Sequence, residues 1–298
     1  MKLGLGTAQF GLDYGVTNAK GRVDRAEVTS ILRMADSHGI EFVDTAPSYG
    51  DSEATLGAAL PERNGFKIIT KTLPIQKQEI TRHDVEKVCE VFRGSLEHLG
   101  QHAVHGLLVH DPKDLLAEGA ELLVHALQEL KAEGFVHRIG VSVYRGDEID
   151  RIFDRHSLDL VQLPLNVLDQ RLVASGHLAK LKGRGVEIHA RSVFLQGLLL
   201  AAPGEIPAHL QGARASLERF ARWTAQEHVS PAQAALAFVE QLALVDCAIV
   251  GVVSAAQLRD LLQSYSRVSA RNLRFEGLGC EDPHVVDPTL WPQRVASR

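Results

Sequence analysis

Eight short apolar runs, each of four to six residues and rich in Val, Ile and Leu, recur along this chain with amphipathic stretches between them. They are LGLGT (3–7), EFVDT (41–45), KIITK (67–71), HGLLVH (105–110), RIGVSV (138–143), LVQLP (160–164), VEIHAR (186–191) and CAIVG (247–251). Strands covered by helices on both faces read this way, as near-continuous apolar runs rather than alternating ones. The intervening segments repeat apolar residues three and four apart and stop on glycine. Segment 24–39 runs from an Asp cap to Gly39, 81–100 closes on Gly100 and 117–134 on Gly134. Further helices are predicted at 52–60, 146–156, 175–185, 230–243 and 254–265. Alternating strand and helix call for a parallel sheet. Eight units in about 265 residues favour closure into a (β/α)8 TIM barrel, an α/β fold, over an open doubly wound sheet.

No Gly/Ser-rich linker and no shift in composition divides the chain, so residues 1–298 are expected to form one domain. Segment 200–216 reads as an insertion after strand seven, and the tail 266–298 lacks clear periodicity. In a barrel both lie where they can rim the open end, as candidate substrate-site loops.

Charge narrows the partners. The formal net charge is −5, aromatics make up 5%, and no block of five or more Lys/Arg occurs, so neither nucleic acid nor an anionic membrane is indicated. Cys89, Cys247 and Cys280 are far apart and form no CxxC, which fits a reducing compartment; Cys247, inside an apolar strand, reads as a core residue. The stretch MKLGLGTAQFGLDYG has no long apolar h-region, and no run of about 18 apolar residues occurs, so a soluble cytoplasmic protein is expected. The oligomeric state is not legible here.

In a (β/α)8 barrel the chemistry stands at the C-terminal ends of the strands. Strand two ends at Asp44, strand three at Lys71 and strand four at His110, and Tyr49 follows in the loop after strand two. All four can meet at one mouth. A phenol of ordinary pKa, about 10, is a poor acid near neutrality. An ammonium at Lys71 would lower that pKa, and Asp44 would hold Lys71 in place. His110 can donate to a carbonyl oxygen and fix it beside Tyr49. The set makes a proton donor for a carbonyl becoming an alkoxide. It contains no hydride source, so a cofactor is required. Taken singly, each residue has a plainer role: Tyr49 in packing, Lys71 as a snorkelling surface lysine, Asp44 as a helix cap, His110 in a solvated turn.

GLGTAQFG, DTAPSYGDSE, ITKT, LLVHD, IGVSVY and IVGVVSAAQLRD together resemble the aldo-keto reductase family, in its order and near its spacings, over nearly the whole chain. The resemblance implies a (β/α)8 barrel, an Asp-Tyr-Lys-His tetrad at Asp44, Tyr49, Lys71 and His110, and NADP(H) as cofactor, with NAD(H) left open. It implies that Gly6, Thr7 and Ala8 lie beside the nicotinamide, Ser142 and Gln162 near its carboxamide, and Ser192, Phe194 and Gln196 near the pyrophosphate. Gly251, Val253, Ser254 and Gln257, where the last helix begins, would face the adenosine phosphate. GLGTAQFG is not a dinucleotide fingerprint: Gln9 stands where GxGxxG needs glycine, and no helix is expected to follow at once.

Several positions depart from the family pattern. Arg191 stands where many members have a Tyr that stacks on nicotinamide; it is expected either to stack there or to form an ion pair. Val143 replaces a common Asn, and Leu261 another. The Lys/Arg cluster for a 2′-phosphate is absent, leaving Arg259 as the nearby cation. The family's N-terminal hairpin has no counterpart before LGLGT.

The expected function is reduction of an aldehyde, ketone or sugar carbonyl to an alcohol. GTAQFGLDYGVTN resembles bacterial members tied to sugar and polysaccharide pathways. The alternatives are a nucleotide-binding regulatory barrel of the same family with little turnover and, further off, a metal-dependent sugar isomerase. No metal site is expected: Gly100 breaks the spacing of His98 and His102, and no HExxH occurs. Ser142 and Ser192 lack the GxSxG elbow of a serine hydrolase.

Overall fold

All eight apolar runs are strands in the computed structural model, which describes residues 2–60, 65–268 and 272–291. They are β1 (Lys2–Gly6), β2 (Phe42–Asp44), β3 (Lys67–Lys71), β4 (Val104–Val109), β5 (Val136–Ser142), β6 (Leu160–Pro164), β7 (Glu187–Arg191) and β8 (Cys247–Gly251). Neighbours in sequence pair in parallel, and β1 pairs with β8, Lys2 opposite Cys247 and Gly6 opposite Gly251, so the sheet closes into a barrel. Closure removes the free edges that an open sheet must protect. Phe42, Ile69, Leu108, Leu160, Cys247 and Ile249 form a buried cluster of their own, which fills the lumen. Gly4 makes room for it, since a Cβ there would come within 2.6 Å of Ile249 Cδ1. The larger part of the core lies between strands and helices.

The helices are α1 (Ala8–Gly11), α2 (Arg25–Ser37), α3 (Ser52–Ala59), α4 (Arg82–Leu99), α5 (Ala120–Ala132) and α6 (Gly146–Phe153). After them come α7 (Arg171–Ala174), α8 (His177–Gly183), α9 (Arg214–Gln226), α10 (Pro231–Glu240), α11 (Ala255–Val268) and α12 (Pro283–Val286). The boundary signals act as expected. Asp24 caps α2 by accepting from Glu27 N at 2.9 Å. Thr81 and Asp84 form a reciprocal capping box at α4, and Gly100 ends that helix in the left-handed region (φ 62°). No described helix is long and apolar enough to cross a membrane.

Three elements differ from the sequence reading. The single turn α1 does follow β1 at once, and Thr7, just before it, donates to Asp44 O at the end of β2. Helix α9 begins inside the segment read as an insertion; its buried Leu217, Phe220 and Thr224 have helical spacing, which the flanking Gly, Pro and Arg residues obscured. The tail is also packed: Phe275 meets the Trp223 and Phe238 rings at 5.0 and 5.2 Å, and Cys280 N donates to Leu168 O. Residues 269–271 and 292–298 of that tail lie outside the described residues.

The N-terminal end of the barrel is closed by side chains. Phe42 sits edge-on to the rings of His105 and His189 at 5.4 and 4.9 Å, with the Lys2 and Lys67 ammonium groups 5.9 and 5.3 Å from its centroid. Glu187 lies 2.8 Å from His189 Nε2 and 3.4 Å from His105 Nε2. Burial by itself would raise the Glu187 pKa, but hydrogen bonds from His105 and His189 hold its carboxyl well below the usual range. A carboxylate whose pKa is lower folded than unfolded adds stability above the unfolded pKa, about 4.5, and that contribution is lost as pH falls. Glu187→Gln should therefore cost about 1–3 kcal/mol at neutral pH. Urea titrations should show the gap to wild type narrowing between pH 5 and pH 3; a gap that stays constant would show that the charge is not what matters.

Candidate active site

The loop after β2 is anchored to the turn after β1 through backbone contacts. Thr7 N and Thr7 Oγ1 both donate to Asp44 O, at 2.9 and 3.0 Å, and Ser52 Oγ donates to Thr7 O at 2.8 Å. Gly11 and Gly50 allow the two segments to touch. A Cβ on Gly11 would lie 1.8 Å from Tyr49 O, and Gly50, at φ +63°, would bring one within 2.7 Å of Gly11 O. Glu53, buried in α3, accepts from Thr70 Oγ1 on β3 at 2.5 Å and fixes the far side of the loop. Tyr49 is thus held over the mouth by glycines and a hydroxyl network.

The four predicted residues converge. Lys71 is 1% exposed and its Nζ donates to Asp44 Oδ1 (2.8 Å), Asp44 Oδ2 (2.9 Å) and Thr45 O (2.9 Å). Gln162 Nε2 donates to Asp44 Oδ1 at 2.7 Å. Lys71 Nζ stands 4.9 Å from the Tyr49 ring centroid, and the Tyr49 and His110 rings meet edge-on at 6.0 Å. His110 Nδ1 pairs with Ser48 Oγ at 3.2 Å, and no described residue bonds its Nε2. A Ser48 hydroxyl that donates to Nδ1 keeps the ring proton on Nε2.

The electrostatics correct one expectation. Lys71 was expected to lower the Tyr49 pKa. Instead, burial and then the Asp44 carboxylate push the phenol up, with Arg191 opposing, so Tyr49 stays protonated. The charge of Lys71 is spent on Asp44. Burial pushes the Lys71 ammonium down and Asp44 opposes that. Burial, then Lys71 and Arg191, push His110 down to about 3, so its imidazole is neutral near pH 7.

Above this cluster opens a cavity of about 400 Å³. Asp44, Tyr49 and His110 line it; Lys71 lies behind its wall. The residues assigned to a cofactor line it too: Gly6, Thr7, Ala8, Ser142, Gln162, Arg191, Ser192, Phe194, Gln196, Gly251, Val253 and Gln257. Ser254 does not; its Oγ accepts from Gln257 N and caps α11. The β7 loop is left-handed at Ser192, Leu195 and Gln196, with φ of 58°, 48° and 54°. That conformation costs roughly 1–2 kcal/mol per non-glycine residue and gathers where a site needs a particular backbone shape.

Arg191 lines the cavity and forms no ion pair with a described carboxylate. Its guanidinium lies 3.9 Å from the Tyr144 ring centroid, and it donates to Val143 O at 3.0 Å and Ser192 Oγ at 3.4 Å, with no carboxylate partner among the described residues. Tyr14, Ser48 and Tyr144 were not singled out from the sequence. Three of the four tyrosines, Tyr14, Tyr49 and Tyr144, line this cavity, and a count of scarce residues just past strand ends would have found Tyr144. Of segment 200–216 only Leu200 lines the cavity, and no described residue of the tail does.

A closed barrel with buried titratable groups beneath a cavity at its C-terminal mouth has the layout of a barrel enzyme. The family model of the aldo/keto reductase family matches residues 2–271, and the chain belongs to that family. D-threo-aldose 1-dehydrogenase from Pseudomonas sp is 30% identical over 85% of this chain and 88% of that protein. NADH-specific methylglyoxal reductase from Escherichia coli is 26% identical over 66% of this chain and 65% of its own length. An aldo-keto reductase from Bacillus halodurans shares the fold, with a TM-score of 0.69 at 20% identity over 92% of this chain and 88% of that one.

Proposed function

We propose that this chain reduces a carbonyl group to an alcohol with a nicotinamide dinucleotide, and that Tyr49 is the proton donor. The observation that carries the reading is the convergence of Asp44, Lys71, Tyr49 and His110 at one end of the cavity. A bound nicotinamide dinucleotide would supply the hydride. The donor set suits such a group. Ser142 and Gln162 offer a hydroxyl and an amide, the left-handed β7 loop offers a shaped backbone, and Arg191 and Lys20 are cations on the wall with no described carboxylate partner.

The carbonyl oxygen would lie between Tyr49 Oη and His110 Nε2. A neutral His110 holding its proton on Nε2 orients that oxygen and gives it a hydrogen bond as charge develops. Tyr49, kept as a phenol by burial and Asp44, delivers the proton. Asp44 and Lys71 form a closed ion pair behind it that fixes the ring's surroundings. The names of the relatives point to aldoses or small aldehydes as substrates. Tyr14, Tyr144, Asn18 and Lys20 around the cavity suit a polyhydroxylated carbonyl compound. The three free cysteines suit a reducing, cytoplasmic location.

The test is direct. The purified protein should change nicotinamide fluorescence on titration with NADH or NADPH and should oxidise one of them in the presence of 4-nitrobenzaldehyde. Failure to bind either nucleotide would remove the reading. Binding without turnover of any aldehyde or aldose would favour the regulatory barrel instead.

A further inference from the structure

The end of the cavity that the family resemblance assigns to the adenosine phosphate departs from a phosphate site. The leading N–H groups of a helix have no intrahelical acceptor, and together with the helix dipole they attract anions. The cavity reaches the start of α11 through Gly251, Val253 and Gln257. There the chain's own acceptors already occupy three of the donors. Ala255 N donates to Glu27 Oε1 at 2.6 Å, Val253 N to Gln257 Oε1 at 2.8 Å, and Gln257 N to Ser254 Oγ at 3.1 Å.

Glu27 is held in this position. It lies in the first turn of α2, half-buried, with its own N–H given to the Asp24 carboxylate at 2.9 Å, and α2 packs along α11. No described residue bonds its Oε2, and no described cation pairs with it. Arg259, one turn further along α11, is exposed. A second anion at this helix start would stand beside the Glu27 charge and could take Ala255 N only by displacing that carboxylate. A hydroxyl would instead find an acceptor in the free carboxylate oxygen. These observations separate two ligands that differ in one group, a ribose 2′-phosphate and a ribose 2′-hydroxyl.

We propose that Glu27 reads the adenosine ribose and makes this site select the dinucleotide that lacks the 2′-phosphate, NADH over NADPH. The inference rests on the carbonyl-reductase reading above and reverses the NADP(H) preference that the family resemblance implies. Like charges brought together at a binding surface cost enough to reject one ligand of a pair.

Calorimetric titration of the wild type and of Glu27→Gln with NADH and with NADPH tests it. The wild type should bind NADH at least about tenfold more tightly than NADPH, and Glu27→Gln, which keeps the acceptor for Ala255 N but loses the charge, should narrow that ratio by about tenfold. NADH affinity should fall, because the 2′-hydroxyl loses its carboxylate acceptor, while NADPH affinity should rise. Equal or tighter NADPH binding by the wild type overturns the inference, as does a ratio that the variant leaves unmoved. If the variant does not fold, the wild-type ratio decides alone, together with competition by adenosine 2′-phosphate, which should be weaker than competition by adenosine 5′-phosphate. Binding of neither dinucleotide removes the reductase reading, and this inference with it; tight NADPH binding removes the inference alone.

Discussion

Tyr49→Phe should bind the nicotinamide dinucleotide as the wild type does and lose carbonyl turnover by about 10²–10⁴-fold, the usual worth of a positioned general acid. The substitution removes one oxygen and leaves the ring, so the edge-on contact with His110 and the contact with Lys71 remain. The loop is held by Gly11, Gly50 and Ser52 rather than by the phenol, so the fold should not change. The loss should appear in kcat, because the proton is transferred only in the reacting complex. Steady-state kinetics with 4-nitrobenzaldehyde, alongside a fluorescence titration of the cofactor, would check it. A variant with wild-type kcat would show that the proton comes from elsewhere.

Lys71→Met should be costly to the fold as well as to activity. Lys71 and Asp44 are 1% and 4% exposed, and the ammonium donates to both carboxylate oxygens. Removing one partner of a buried ion pair leaves the other charge without compensation, at about 3–5 kcal/mol. Here Asp44 would keep only the hydrogen bond from Gln162 Nε2 to its side chain. Adding Asp44→Asn removes the stranded charge while retaining that bond, so the double variant should recover most of the stability and none of the activity. Denaturation midpoints of the two variants against wild type would settle the first part, and NAD(P)H oxidation the second. A single variant within about 1 kcal/mol of wild type would mean that the pair is not desolvated as its burial indicates.

The strands and their order were legible because most of their residues are buried on both faces and so carry a near-continuous apolar signature. Runs 67–71, 160–164 and 247–251 coincide with β3, β6 and β8 to the residue. The helices with a strong cap and a closing glycine, α2 and α4, were legible for the same local reason. Helix α9 was not, because the turn chemistry of Pro203, Gly204, Pro207 and Gly212 masks the periodicity that follows. In the site, Asp44, Tyr49, Lys71 and His110 could be named from their positions at strand ends. Ser48 could not, since a serine in a loop carries no local mark of the residue it will meet 62 positions later.

By itself, the sequence determined the barrel, the strand ends that face its mouth, and the four residues Asp44, Tyr49, Lys71 and His110 that meet there. Hydrophobic period and residue type decide those, and both are local. Only the tertiary structure decided the state of those groups and the identity of their partners. It paired Lys71 with Asp44 so closely that the phenol is governed by burial and by Asp44 rather than by the ammonium. It laid Arg191 on Tyr144, and it brought Glu27 across 228 positions of chain to the start of α11. Protonation and ligand selectivity depend on desolvation and on charges within a few ångströms, and those distances exist only once the chain has closed on itself.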